Sequence, residues 1–265
     1  MHYNTPDLFL NKKERGGAVP KYENTPQTNN SLLNRVTEEI RAGSLEELAK
    51  GAQGTVYRYH DKQKNKDYIV KEFNSNSYGQ NAYIQEKAAT HALNEDRGSG
   101  HDEESNTTII IMDYFEGKPL IDPQDEYYET DEPPPPSARL KNWTLEQKYN
   151  FALKMTEQLD AMHKKNVLHM DLKPENILKH DRRDEFKIID YGTAEISNGD
   201  DLSINRSTAS PQYQAPEVSF NMMGKKSDLY ALAKILSDDF NFSTKTTQKI
   251  LGHDIFSKEF IDLFE

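Results

Sequence analysis

Asp171, Lys173 and Asn176 stand in the run VLHMDLKPENIL (residues 167–178), and Asp190 follows in KIIDYGTA, nineteen residues after Asp171. This set of side chains suits phosphoryl transfer, where a protein mostly positions groups and balances charge. Asp171 can orient an attacking hydroxyl and accept its proton. Lys173 can offset charge on the transferred phosphoryl, and Asn176 with Asp190 offers the hard oxygen ligands that magnesium prefers. Asp171 alone reads more readily as structural; the four in this order do not.

Two features upstream fit the same chemistry. Gly51 and Gly54 lie between two strand-like runs, Val56 follows, and Lys71 sits inside the next strand. Glycines let backbone N–H groups approach phosphate oxygens, and a strand lysine can pair with them. Two glycines three apart also make a plain hairpin turn. Lys71 needs a carboxylate partner, and Glu86 is the best placed, among Ile84, Ala88 and Ala89 on the helix that follows. Glu72 adjoins the lysine, and Glu95 falls at the helix end.

The elements that must hold these residues can be read from periodicity. LAKGAQGTVYRYH offers two β-rich runs around a turn, KDYIVKEF alternates as a strand, and TTIIIMDYF reads as a buried strand. QNAYIQEKAATHAL (80–93) has helical spacing. Residues 94–106 read as a polar, acidic loop, and 116–138 as irregular, with Pro133 to Pro136 a stiff extended spacer or a weak polyproline docking site. A long amphipathic helix is expected over 144–164, with Thr144 as N-cap and Gln147 completing a capping box. Strands at 177–179 and 186–189, a long loop to about 214, an apolar helix at 227–240 and short closing helices complete the pattern. Strands first and helices later predict an α+β architecture in two parts with a cleft between them.

Composition narrows the function classes. The 265 residues carry 33 basic against 44 acidic side chains, a net charge of −11, which disfavours nucleic acid as a partner. Absence of cysteine excludes disulfides, thiolate zinc sites and thiol nucleophiles. No apolar run is long enough to span a membrane and the N-terminus has no signal-peptide core, so a soluble, cytoplasmic protein is expected. His163, His169 and His180 are too irregularly spaced for zinc, and His169 reads as a buried structural residue. Residues 1–40 read as a flexible or loosely docked extension, with room for a short helix at 31–42.

GAQGTV, YIVK, HMDLKPEN, DYG and QAPE (Gln214 to Glu217) resemble, in order and separation, the motifs of the eukaryotic-type serine/threonine protein kinases over about 45–235. The resemblance implies a bilobal fold, with a small β-rich N-lobe and hinge over 41–115 and a mainly helical C-lobe over 116–265. It implies ATP and magnesium, with manganese as a substitute, and a protein substrate. Asp171 would be the catalytic base with Lys173 as its phosphate-contacting companion, and Asn176 and Asp190 would hold the metal. Lys71 with Glu86 would form the ion pair that grips the α- and β-phosphates beneath the Gly51–Gly54 turn. Met112 would be the gatekeeper, Asp113 to Phe115 the hinge whose backbone meets adenine, and Val56, Ile69 and Leu178 the walls of the purine pocket.

Lys173, and Ser210 seven residues before Glu217, match the serine/threonine branch. Small-molecule kinases of the aminoglycoside or choline type share part of the pattern, but DLKPEN with APE favours protein substrates. A non-catalytic binding module fits poorly with intact Lys71, Asp171, Asn176 and Asp190. The acidic run Asp122 to Glu132 reads as a solvated loop or as an attractor of basic substrates.

Three departures stand out. Ala49 replaces the first glycine of the loop, which predicts a looser phosphate grip. Asp228 resembles the buried aspartate that props the catalytic loop, yet only 37 residues follow it, so Glu217 is expected to lack its usual arginine partner. The shortened C-lobe is either a truncation or a resemblance to compact kinases that bacteria deliver into host cells. Met170 stands where an arginine commonly pairs with a phosphate on the activation segment, which predicts independence from phosphorylation at Ser203, Ser207 or Thr208.

Overall fold

The computed structural model describes residues 31–121, 143–197, 202–203, 210–220 and 222–242. Expectations for residues 1–30, the acidic run, the prolines, Ser207, Thr208 and the closing helices fall outside these residues.

The first element is helix α1 (Ser31–Ala42). Leu32, Val36 and Ile40 recur every four residues, so they form one stripe. That stripe packs on Tyr59, Tyr68, Val70, Ile109 and Ile111 of the sheet beneath it. Arg35 donates to the buried Asp61 carboxylate at 2.7 Å, and Arg41 pairs with Asp102 and Glu104. The helix matches the short one allowed for at 31–42, and it packs on the sheet instead of forming part of a loose extension. The apolar stripe is short and interleaved with charge, which hid its destination in the sequence.

Strands β1 (Glu46–Lys50), β2 (Gly54–Asp61), β3 (Lys66–Phe73), β4 (Gly98–Asp102) and β5 (Thr107–Asp113) form one antiparallel sheet in the order β1-β2-β3-β5-β4. The register pairs Val56 with Lys71, Lys71 with Ile110, and Ile69 with Met112. Because side chains alternate along a strand, these residues share the face opposite α1. Strand β4 corrects the loop expected at 94–106. Its sequence, GSGHD, has little β propensity, but pairing with the free edge of β5 satisfies its backbone and overrides that preference.

Helix α2 (Ser77–Leu93) starts three residues earlier than its apolar spacing suggested, because the Asn76 side chain caps it by accepting from the Gly79 N–H. Its C-terminal end reaches the second lobe. Ala89 is buried in that lobe's core with Ala92 and Leu93 packed against it, and Lys165 donates to the Leu93 carbonyl at 3.1 Å.

In the large lobe, β6 (Lys118–Pro119) pairs with β8 (Ile177–Lys179), which pairs with β9 (Phe186–Ile188). Residues 118–119 thus correct the irregular chain expected from 116. Helix α3 (Leu145–Lys164) carries the expected capping box between Thr144 and Gln147. Its buried Phe151, Ala152, Met155 and Leu159 face helix α4 (Lys225–Lys234) and the wider helical turn at Ile235–Asp239 that continues it. Trp143, Phe151, Phe186 and Phe240 close one end, with the Phe151 and Phe240 rings 4.7 Å apart. Strand β7 (Val167–Leu168) pairs with β10 (Glu195–Ile196), and β11 (Leu202–Ser203) with β12 (Met222–Met223). Both pairs interrupt what sequence suggested was one long loop to 214. Among the described residues no helix is long and apolar enough to cross a membrane.

If α1 is an integral part of the small lobe, Leu32→Ala should destabilise the protein by about 2–4 kcal/mol. Urea denaturation measures this, and a loss below about 0.5 kcal/mol would show that the helix contributes little.

Candidate active site

Three chain segments meet at Lys71. Strand β3 carries it on the cleft face, α2 brings Glu86, and the turn after β9 brings Asp190. The Nζ lies 2.6 Å from Glu86 Oε2 and 2.7 Å from Asp190 Oδ1. A buried cation is costly unless paired, so each contact constrains the other two segments. Burial opposes the Lys71 charge, but Glu86 and Asp190 outweigh it and the pKa is raised, keeping an ammonium. Burial raises the Glu86 carboxyl to about 7 against the pull of Lys71, with Asp190 adding to the rise. Burial also pushes Asp190 upward, yet Lys71 prevails and holds it below the usual carboxylate range.

Asp171 sits in the loop between β7 and β8. Its Oδ1 accepts the Ser210 N–H at 2.9 Å and the Ser210 hydroxyl at 3.0 Å, and its Oδ2 accepts from Lys173 Nζ at 2.8 Å. Lys173 also donates to Ser210 Oγ at 3.0 Å, closing a triangle of three side chains. Burial lowers the Lys173 pKa, but Asp171 more than compensates and the net shift is upward. Asn176 donates through Nδ2 to the Asp171 carbonyl at 2.9 Å, which commits the amide nitrogen and leaves its oxygen as the group suited to a cation.

The loop is fixed from below. Asp228, buried at the start of α4, accepts the His169 N–H at 2.9 Å and the Met170 N–H at 2.8 Å, and meets His163 Nε2 at 2.8 Å. His169 is fully buried, as expected. Its Nε2 meets the Ile189 carbonyl at 3.0 Å and its Nδ1 faces the Asp171 N–H at 3.3 Å, so this network assigns the proton to Nε2. Met170 has φ +72°, a left-handed conformation that costs a long side chain about 1–2 kcal/mol. The Asp228 hydrogen bonds offset that strain. The Met170 side chain is buried with Leu168, Ala215, Val218 and Met223. Glu217 accepts from the Ser227 hydroxyl at 3.0 Å.

The candidate adenine residues are distributed around the cleft. Val56 and Ile69 are half-buried on the sheet face that carries Lys71, and Leu178 is half-buried on β8. Met112 packs against Phe73, Ala82, Tyr83 and Ile110. The Asp113 side chain is engaged by Lys66 at 2.6 Å and Arg97 at 2.9 Å, which fixes the start of the hinge, and Phe115 lies edge-on to His180. The two glycines differ. A Cβ at Gly51 would meet nothing within 4 Å, whereas one at Gly54 would meet the Glu72 carbonyl oxygen at 1.9 Å, so the packing of β2 on β3 demands that glycine. Gln53 escaped notice in the sequence: its Oε1 accepts from Lys71 Nζ at 2.9 Å. Its position between two glycines was the only signal. Among the described residues no three His, Asp or Glu side chains converge as a metal cluster.

A family model for the protein kinase domain matches residues 43–260. The chain belongs to the protein kinase family. The chain is 25% identical to the interferon-induced, double-stranded RNA-activated protein kinase of Rattus norvegicus, over 97% of its length and 53% of the rat protein. It is 28% identical to a G-type lectin S-receptor-like serine/threonine-protein kinase of Arabidopsis thaliana, over 82% of this chain and 26% of that one. It is 37% identical to calcium-dependent protein kinase 6 of Plasmodium berghei, over 59% of this chain and 10% of the relative. The chain thus spans about half the length of the rat protein and less of the other two.

Asp228 supports a strained loop that would not hold itself. Asp228→Asn turns an amide N–H2 toward backbone donors and should cost about 1–3 kcal/mol. A urea midpoint indistinguishable from wild type would contradict that support.

Proposed function

We propose that this protein is an ATP- and magnesium-dependent serine/threonine protein kinase. Its activity would not depend on phosphorylation of its activation segment. The observation that carries the reading is the convergence of Lys71, Glu86 and Asp190 beside the Asp171–Lys173–Ser210 triangle. A divalent cation, when bound, would supply positive charge that offsets the charge of the transferred group. Asn176 and Asp190 are suited to hold magnesium, or manganese, through oxygen ligands.

In this reading the ammonium of Lys71 holds the α- and β-phosphates, and Glu86 holds the ammonium. Val56, Ile69 and Leu178 enclose the purine, with Met112 behind it and the backbone of Asp113 to Phe115 along its edge. The Ser210 hydroxyl occupies the Asp171 carboxylate much as an incoming hydroxyl would. A substrate serine or threonine would present its O–H to that same carboxylate, and Asp171 would accept the proton as the new P–O bond forms and the bond from the γ-phosphorus to the bridging oxygen breaks, with ADP leaving. Lys173 stays beside Asp171 throughout, offsetting the charge that builds on the phosphoryl oxygens.

Two features support activity without activation-segment phosphorylation. Met170 cannot pair with a phosphate, yet it is buried against Ala215, Val218 and Met223 of the segment that such a pair would order. Helix α2 is also fastened to the large lobe by Gln85 to Glu195 and Glu95 to Lys187, each at 2.8 Å. Apolar packing and these ties take the place of a phosphate-driven switch. The protein substrate is proposed to be basic, in keeping with the net charge of −11.

Labelled ATP and magnesium with a generic basic protein test the assignment. Transfer should fall at least ~100-fold in Asp171→Ala, as for loss of a catalytic base. Equal labelling by the variant would overturn the assignment. Phosphatase pretreatment should leave the wild-type rate nearly unchanged, and a large loss would refute independence from segment phosphorylation.

A further inference from the structure

Lys71 has three N–H donors, and all three are taken by protein groups: Glu86 at 2.6 Å, Asp190 at 2.7 Å and Gln53 at 2.9 Å. The third partner comes from the turn between Gly51 and Gly54. That turn is held firmly. Gly51 donates its N–H to the Gly54 carbonyl at 2.9 Å, and Asn74 donates its backbone N–H to the Gln53 carbonyl at 2.8 Å. The Asn74 side chain adds a bond to the Ala52 carbonyl at 2.8 Å. With its backbone so fixed, Gln53 directs its amide across the cleft. The amide rests on Gly192, where a Cβ would fall 2.2 Å from Gln53 Oε1. One side chain therefore joins the glycine turn to strand β3 and to the segment that follows Asp190.

We propose that Gln53 is a displaceable latch that lowers the affinity of the site for nucleotide by competing with phosphate for Lys71. The inference rests on the kinase reading above and deepens it. A phosphate oxygen can reach Lys71 only by displacing one of its three partners. Glu86 and Asp190 hold it as ion pairs, whereas the Gln53 amide oxygen carries no net charge and adds no ion-pair attraction to its hydrogen bond. The amide yields first, and the lysine keeps both carboxylates. Gln53 is also half-buried, so it has a route out that Glu86, buried on the inner face of α2, does not. Gln53 acts through Lys71 and is a positioning residue, not a catalytic one.

Removing a neutral competitor should tighten nucleotide binding by the net worth of one hydrogen bond, roughly three- to tenfold. Placing a carboxylate there should do the reverse, because it binds Lys71 more strongly and repels phosphate. The experiment is a titration of the full chain with a fluorescent ATP analogue and magnesium, with melting temperature recorded for each protein. Gln53→Ala should bind roughly three- to tenfold tighter than wild type, and Gln53→Asn, one methylene short of Lys71, should match it. Gln53→Glu should bind at least about tenfold more weakly. A merely structural role for the turn would weaken binding in all three variants. That result, or unchanged affinity in Gln53→Ala, overturns the latch while leaving the kinase reading intact. Wild-type protein that binds no nucleotide overturns both.

Discussion

A buried ammonium with two carboxylates drawn from opposite sides of a cleft is the constraint around which this molecule is arranged. Lys71 cannot be buried alone: Glu86 pairs with it from α2, and Asp190 ties it to the large lobe. The lysine is fixed by the register of β3 between β2 and β5, Glu86 by the docking of α2, and Asp190 by the turn after β9. If Lys71 or Glu86 shifts, an unpaired charge is left in a poorly solvated place. The geometry proposed to bind phosphate is therefore also the geometry that pairs these charges in the fold.

The large lobe supports that arrangement through Asp228. A carboxylate accepting two consecutive backbone N–H groups holds Met170 in a conformation it would not choose, and so aims Asp171 and Asn176. The methionine then supplies its own apolar anchorage against the segment that bears Ala215 and Val218. Where an arginine would await a charge, this chain has packing that is always present. In the proposed reading, that packing and the ties from α2 to the large lobe favour one closed arrangement over a switch between two.

Much of this was legible in the sequence because local chemistry and spacing pointed the same way. The Thr144–Gln147 capping box named its helix start, and the alternation in KDYIVKEF set the face of Lys71. Glu86 is the partner expected over Glu72 and Glu95, although of the apolar neighbours that suggested it only Ala89 is buried, Ile84 and Ala88 being exposed. What escaped was decided by partners distant in the chain. GSGHD becomes a strand only because β5 offers an edge, and α1 docks only because Tyr59, Tyr68 and Ile109 converge beneath it. Gln53 is plain in a list of residues, and nothing local shows that its amide crosses to Lys71. Gly54 was read for phosphate access, whereas the close approach of Glu72 is what excludes a side chain there.

The central claim is that Lys71 and Glu86 work as one unit. A double-mutant cycle in phosphoryl transfer, comparing Lys71→Met, Glu86→Gln and the pair, measures this directly through kcat/KM. Each single change should lower kcat/KM, and the double variant should be little worse than Lys71→Met alone, since the carboxylate has nothing left to hold. Losses that simply multiply would mean the two residues act independently, and would contradict the account.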